Sequence, residues 1–158
     1  MTYIKERVNE INKIVLAKLC LTFEGMEKVK KDGLVYPYYC PAGFPTQGVG
    51  RRIKDIHNSA ITKEQALDWL IEDMRIHLTA SKNLCPGLKN ESHGAIADFS
   101  YNLGATRLAG STLRRKLNKG DYEGAKSELL KWVRGGGKIL PGLVIRRKTE
   151  AQYLGENK

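Results

Sequence analysis

The chain has 158 residues, enough for one domain or two small lobes, and long enough to bury a core without a metal or a staple. Its 41% apolar and 28% charged content is that of a globular protein, and 16 glycines against 5 prolines exclude a low-complexity tail. The net charge of +10 implies attraction to polyanions, whether nucleic acid, anionic cell-wall polymer or anionic lipid headgroups. The positives are spread over Lys28 to Lys31, Arg51-Arg52, Arg114 to Lys116 and Arg146 to Lys148. That scatter favours a diffuse field over a single nucleic-acid footprint.

Cys20, Cys40 and Cys85 are odd in number and have no paired spacing. His57, His77 and His93 are equally scattered, so no zinc pattern is present and no metal is expected. Free thiols fit a reducing compartment during folding. Thr2 to Arg7 offer no apolar core behind a basic start, so no cleavable signal peptide is expected. The apolar window Ile14 to Phe23 contains Lys18 and is about half the roughly 20 residues a bilayer span needs. These features predict a protein made soluble in the cytoplasm, with no transmembrane segment.

Ile4, Val8, Ile11, Val15 and Leu19 recur at helical spacing and predict an amphipathic helix over about residues 3 to 23, stopped by Gly25 just past Glu24. Cys20 on that helix reads as a packing residue. Residues 27 to 56 carry turn and strand signals: Asp32-Gly33 between Val29 and Leu34, then Tyr36, Tyr38 and Tyr39, then Gly48 and Gly50. Two or three short antiparallel strands are expected there, in one lobe with the first helix. Thr62-Lys63-Glu64-Gln65 is a capping box for a helix over about 63 to 80, with Ala66, Leu67, Leu70, Ile71, Met74 and Leu78 on one face. At ~1.5 Å per residue it spans roughly 27 Å, long enough to join two lobes. Trp69 reads as core or lobe-interface packing rather than a sugar platform.

After Cys85-Pro86-Gly87, Ser92 is the expected N-cap of an apolar helix through Ala95, Ile96, Phe99 and Leu103, closed by Gly104. Being apolar on most sides, it is the predicted axis of the second lobe. Ser111 caps a short helix to about Lys119, and Asp121 caps the next, from Tyr122 to Val133. Gly135 to Gly137 read as a loop, and Pro141 opens a last helix to about Leu154. No internal repeat is present.

One stretch carries chemistry. Phe23-Glu24-Gly25 ends the first helix, and Tyr39-Cys40-Pro41-Ala42-Gly43-Phe44-Pro45-Thr46-Gln47-Gly48-Val49-Gly50 follows. A helix-end carboxylate beside a Gly- and Pro-rich loop makes a candidate cleft wall. Further on come Phe99 to Gly104, then Ser111-Thr112-Leu113 with Lys116 to Tyr122. Trp132, Gly135 to Lys138, Leu140 to Leu143 and Arg146-Arg147 complete the series. In this order, over roughly residues 20 to 154, these segments resemble the phage-type lysozymes of glycoside hydrolase family 24.

The resemblance implies an α+β, mainly α, lysozyme-like two-lobed fold. Lobe 1 covers about 1–62, the connecting helix about 63–80 and lobe 2 about 81–158. It implies a phage or prophage endolysin, a muramidase that needs no cofactor and cuts the β-1,4 bond between N-acetylmuramic acid and N-acetylglucosamine. Such a protein waits as a monomer in the host cytoplasm until lysis, then reaches the periplasm and wall through a holin-like permeabiliser. Glu24 carries over as general acid, its carboxyl kept protonated by partial burial. Thr46 carries over as the residue that orients water, and Cys40 as the middle member of the set. The cleft between the lobes is expected to hold all three.

Two departures stand out. Fifteen residues separate Glu24 from Cys40, a longer spacing than many family members have, so Asp32 is a rival second acid, with a turn role before Gly33 as its other reading. Arg51 stands where the family usually has histidine. A thiolate at Cys40 would need a positive neighbour, and Arg51 and Arg52 are nearest in sequence. Attack by water and attack by the protein both stay open. Arg146 and Arg147 are expected to brace the last helix against the first lobe, without a catalytic role. Other readings are a weak or inactive peptidoglycan-binding module on the same fold and, on charge alone, a nucleic-acid binder.

Overall fold

The computed structural model describes residues 2–26, 28–89 and 91–155, and the side chains of all of these except 2–9 and 11. The expected apolar positions Ile4, Val8 and Ile11 therefore lie outside the described side chains. The remainder of that face folds as predicted: helix α1, Thr2–Phe23, buries Val15, Leu16, Leu19 and Cys20. Helix α2, Lys63–Leu84, opens on the capping box, where Gln65 N–H donates to Thr62 Oγ1 at 3.1 Å and Thr62 N–H to Gln65 Oε1 at 2.9 Å. Each contact satisfies an amide the first helical turn leaves without a partner. Among the described residues no helix is long and apolar enough to cross a membrane.

By its internal contacts the chain divides into two compact units. The first is Cys20–Asp73. Its sheet is antiparallel, with strands β1 (Tyr38–Tyr39), β2 (Pro45–Gln47) and β3 (Arg51–Arg52) in sequence order. Thr46 pairs with Tyr38 on one side and Arg52 on the other. Val35, Ile61 and Ala66 form a small core, with Met26 and Trp69 against it. Buried Gln47 ties this core together: Nε2 donates to Val35 O and Ser59 O, both at 3.0 Å, and Oε1 accepts from Asn58 Nδ2 at 2.8 Å.

The second unit comprises the residues through Leu19 and those from Met74 onward. Its axis is α3, Ser92–Leu103, buried from Ser92 through Ser100. Ser92 is not the N-cap of this helix. Glu91 holds that position without a side-chain bond, and Ser92 Oγ donates instead to Tyr153 O at 2.9 Å. Asn12 of α1 does part of the capping, since its Oδ1 accepts from Gly94 N–H at 3.3 Å. Gly104 ends α3 and begins the short α4, Ala105–Ala109. Ser111 and Asp121 cap α5 (Thr112–Asn118) and α6 (Tyr122–Leu129) as expected.

Helix α6 stops four residues short of Val133, because Gly135 to Gly137 are not a plain loop. Arg134–Gly135 (β4) and Lys138–Ile139 (β5) pair as a hairpin across Gly136 and Gly137, both at positive φ, as a two-residue hairpin turn requires. Pro141 opens α7, Pro141–Gln152. Arg146 fastens α7 to α3 through two 2.8 Å bonds to Asp98, and Arg147 lies 5.2 Å above the Phe99 ring. Trp132 meets the same ring, edge to face with Phe99 at 5.4 Å.

Candidate active site

Glu24, Cys40 and Thr46 all fall in the Cys20–Asp73 unit. Glu24 sits just past the end of α1, its amide donating to Cys20 O at 2.8 Å, and its side chain is half-buried. The carboxyl lies directly over Gly50. A Cβ at position 50 would stand 2.7 Å from Oε2 and 2.8 Å from Cδ, closer than two such atoms come. Gly50 is therefore required twice, by this approach and by its φ of +76°.

Gly50 belongs to the turn between β2 and β3, and Thr46 is the middle residue of β2. Thr46 is 2% exposed, and its Oγ1 donates to Phe44 O at 2.9 Å. The same carbonyl accepts from Cys40 N–H at 3.0 Å, while Gly43 N–H donates to Cys40 O at 2.8 Å. Cys40 is thus pinned at the start of the β1–β2 loop, with a half-buried free thiol. One carbonyl oxygen gathers both predicted loop residues, and the next turn of the same sheet carries Gly50, over which the Glu24 carboxyl lies.

Asp32 is elsewhere. Its Oδ1 accepts from Leu34 N–H at 2.9 Å and its Oδ2 from Tyr36 Oη at 2.5 Å. The Tyr36 hydroxyl, then the Leu34 amide, hold its carboxyl below the usual aspartate pKa. It is an exposed turn residue, as its position before Gly33 allows. The chain around Asp32 is a hairpin turn with a bridge from Val29 to Val35.

The adjacent arginines have separate roles. Arg51 turns onto α2: Nε and Nη2 bond the two oxygens of Asp73, each at 3.0 Å, and Nη2 also reaches Glu72 Oε2 at 2.9 Å and Trp69 O at 3.2 Å. Its guanidinium stands 4.6 Å over the Trp69 ring. It is occupied by these acids rather than free to attend a thiolate. Trp69, covered by Arg51 and packed on the small core, is a packing residue. Arg52 is exposed, with its guanidinium 3.7 Å over the Phe44 ring. The sequence reading did not single out Gly50 as the floor under Glu24, nor Phe44 as the shared anchor. The positive-φ requirement of a Gly-x-Gly turn hinted at the first; nothing local marks the second.

The phage lysozyme family model matches residues 23–150. An endolysin of Acyrthosiphon pisum secondary endosymbiont phage 1 is 36% identical over 134 residues, which cover 80% of this chain and 92% of that protein. A protein of Bacteriophage PS119 named SAR-endolysin is 32% identical, covering 87% of this chain and 83% of the relative. The solved structure of an endolysin from Escherichia coli O157:H7 phage FAHEc1 superposes with a TM-score of 0.72 at 26% identity, covering 91% of this chain and 92% of that one.

Proposed function

Because the chain belongs to the phage lysozyme family, we propose that Glu24, Cys40 and Thr46 are the residues with which it cuts its substrate. The protein is a glycoside hydrolase, an endolysin that hydrolyses peptidoglycan. The bond cut is the β-1,4 link between N-acetylmuramic acid and N-acetylglucosamine. Breaking it takes a proton for the leaving oxygen and a water at the anomeric carbon from the opposite face.

Glu24 gives the proton. Its carboxyl is half-buried and lies against the β2–β3 turn, in the space that the absence of a side chain at Gly50 leaves open. Thr46 orients the water. Its hydroxyl proton is committed to Phe44 O, so its oxygen faces other groups as an acceptor. A water that donates to that oxygen presents a lone pair to the sugar. Cys40 bounds the site from the loop, where its thiol touches the same water. The shared Phe44 carbonyl carries this reading, because it fixes Cys40 and Thr46 together with a Gly50 turn under Glu24 in one sheet.

The substrate lies outside the cytoplasmic membrane, so we read the protein as stored in the host cytoplasm and released by a holin-like permeabiliser. Turbidity tests both statements. Purified protein should clear chloroform-permeabilised cells, and cells that express it without a permeabiliser should hold their turbidity until chloroform is added. Glu24→Gln should bind sacculi and lose clearing by about a thousandfold or more, the scale of a lost general acid and its positioning. Clearing retained in Glu24→Gln removes Glu24 from the chemistry; wild-type binding without any clearing makes the protein a wall-binding module.

A further inference from the structure

Two adjacent arginines, Arg51 and Arg52, end β3 with opposite fates. Arg51 is engaged through Nε and Nη2 by Asp73, Glu72 and the Trp69 carbonyl. Arg52 is exposed, and among the described residues no carboxylate pairs with it. It is not loose, however. Its guanidinium lies 3.7 Å over the ring of Phe44, the residue whose carbonyl anchors Cys40 and Thr46. Phe44 is 43% exposed and Tyr39, in the paired strand, 60%. A guanidinium seated over an aromatic face keeps N–H groups open to a further partner. Those groups match a carboxylate with two parallel hydrogen bonds.

Position gives these N–H groups a purpose. Arg52 is the cross-strand partner of Thr46, so their backbones are only about 5 Å apart. In the reaction read above, the anomeric carbon next to Thr46 belongs to N-acetylmuramic acid. That sugar, and not its neighbour, carries through its lactyl group the peptide stem, with the stem's own carboxylates. We propose that Arg52, held by Phe44, binds a carboxylate of the peptide stem on the muramic acid being cleaved. Arg52 is a specificity residue: it recognises the acidic branch of the strand and brings the correct sugar to Glu24 and Thr46. This rests on the cleavage site proposed above.

The test uses sacculi freed of phosphate-bearing polymers. One portion is left untouched, and in the other the peptide carboxylates are converted to methylamides with carbodiimide and methylamine. KM and kcat are measured by release of reducing ends for the wild type, Arg52→Gln and Arg52→Lys. On untouched sacculi Arg52→Gln should raise KM about two- to fivefold with kcat nearly unchanged, the scale of one exposed charge pair. On amidated sacculi wild type and Arg52→Gln should have the same KM. Arg52→Lys, which keeps the charge and loses the planar fork, should fall between them. The thermal midpoint of Arg52→Gln should equal that of the wild type. An equal rise in KM on both substrates, or no rise on either, overturns the proposal while the cleavage site stands. A wild type that releases no reducing ends from either portion overturns the cleavage site, and Arg52's role with it.

Discussion

At the scale of single residues, the site depends on an atom that is missing. Glu24 occupies space that any side chain at position 50 would take, and Gly50 also has a φ of +76°. Gly50→Ala therefore combines strain with displacement of the acid. Gly33 has a φ of +78° and nothing within 4 Å of its absent Cβ, so Gly33→Ala carries the strain alone. Both variants should lose about 1–2 kcal/mol of stability in denaturant melts. Only Gly50→Ala should also lose activity, by about tenfold or more, since displacing a reacting group by an ångström costs rate as well as stability. Equal activities in the two would mean that the approach of Glu24 to Gly50 has no part in catalysis. The glycines here were visible in the sequence, but what stood above one of them was not, because residues 24 and 50 meet only through the fold.

Among the elements, legibility followed how local the determining forces are. The capping box at Thr62, the caps at Ser111 and Asp121, and Pro141 at the start of α7 each act within one helical turn, and each was readable. Ser92 misled because a serine before an apolar run has a distant alternative, and here Tyr153 takes its hydroxyl. The β4–β5 hairpin was hidden in a run of three glycines, although Gly136-Gly137 between short flanks is itself a two-residue turn signal. The α1–α3 contact was illegible for the same reason as Ser92. At Gly94 an added Cβ would stand 2.9 Å from the backbone oxygen of Asn12 and from two side-chain atoms of Val15, so α3 comes close to both backbone and side chain of α1 there. Gly94→Ala should cost about 1–3 kcal/mol through overpacking. Gly87→Ala, with nothing within 4 Å, should be near neutral. A Gly94→Ala melt matching the wild type would show that α1 can move aside freely.

For the molecule as a whole, the sensitive variable is pH, because the helical unit buries ionisable groups whose effects oppose one another. His93 is 8% exposed and pairs through Nδ1 with Ser81 Oγ at 2.9 Å. Burial first, and the charge of Lys82 second, lower its pKa from 6.5 to about 4, against a hydrogen bond with the Leu88 backbone. Between those values the unfolded chain holds a proton that the folded chain does not, so His93 makes stability rise with pH. Its contribution is full above 6.5 and is lost as pH falls toward about 4. The size is about 3 kcal/mol at most. Glu150 acts in the other direction. Burial drives its pKa well above 4.5, so its share is full below 4.5 and lost as pH rises. Asp98, held down chiefly by Arg146 against the cost of burial, loses its share only as pH falls below 3.8. The wild-type curve alone therefore mixes opposing slopes, and the comparison that isolates one of them is with His93→Gln. Unfolding free energies of both proteins, measured in denaturant from pH 7 to pH 4, should draw together as pH falls. The gap should narrow mainly between the two His93 pKa values. A constant gap would mean that His93 gains its proton equally easily folded and unfolded, and that water reaches a ring this packing encloses.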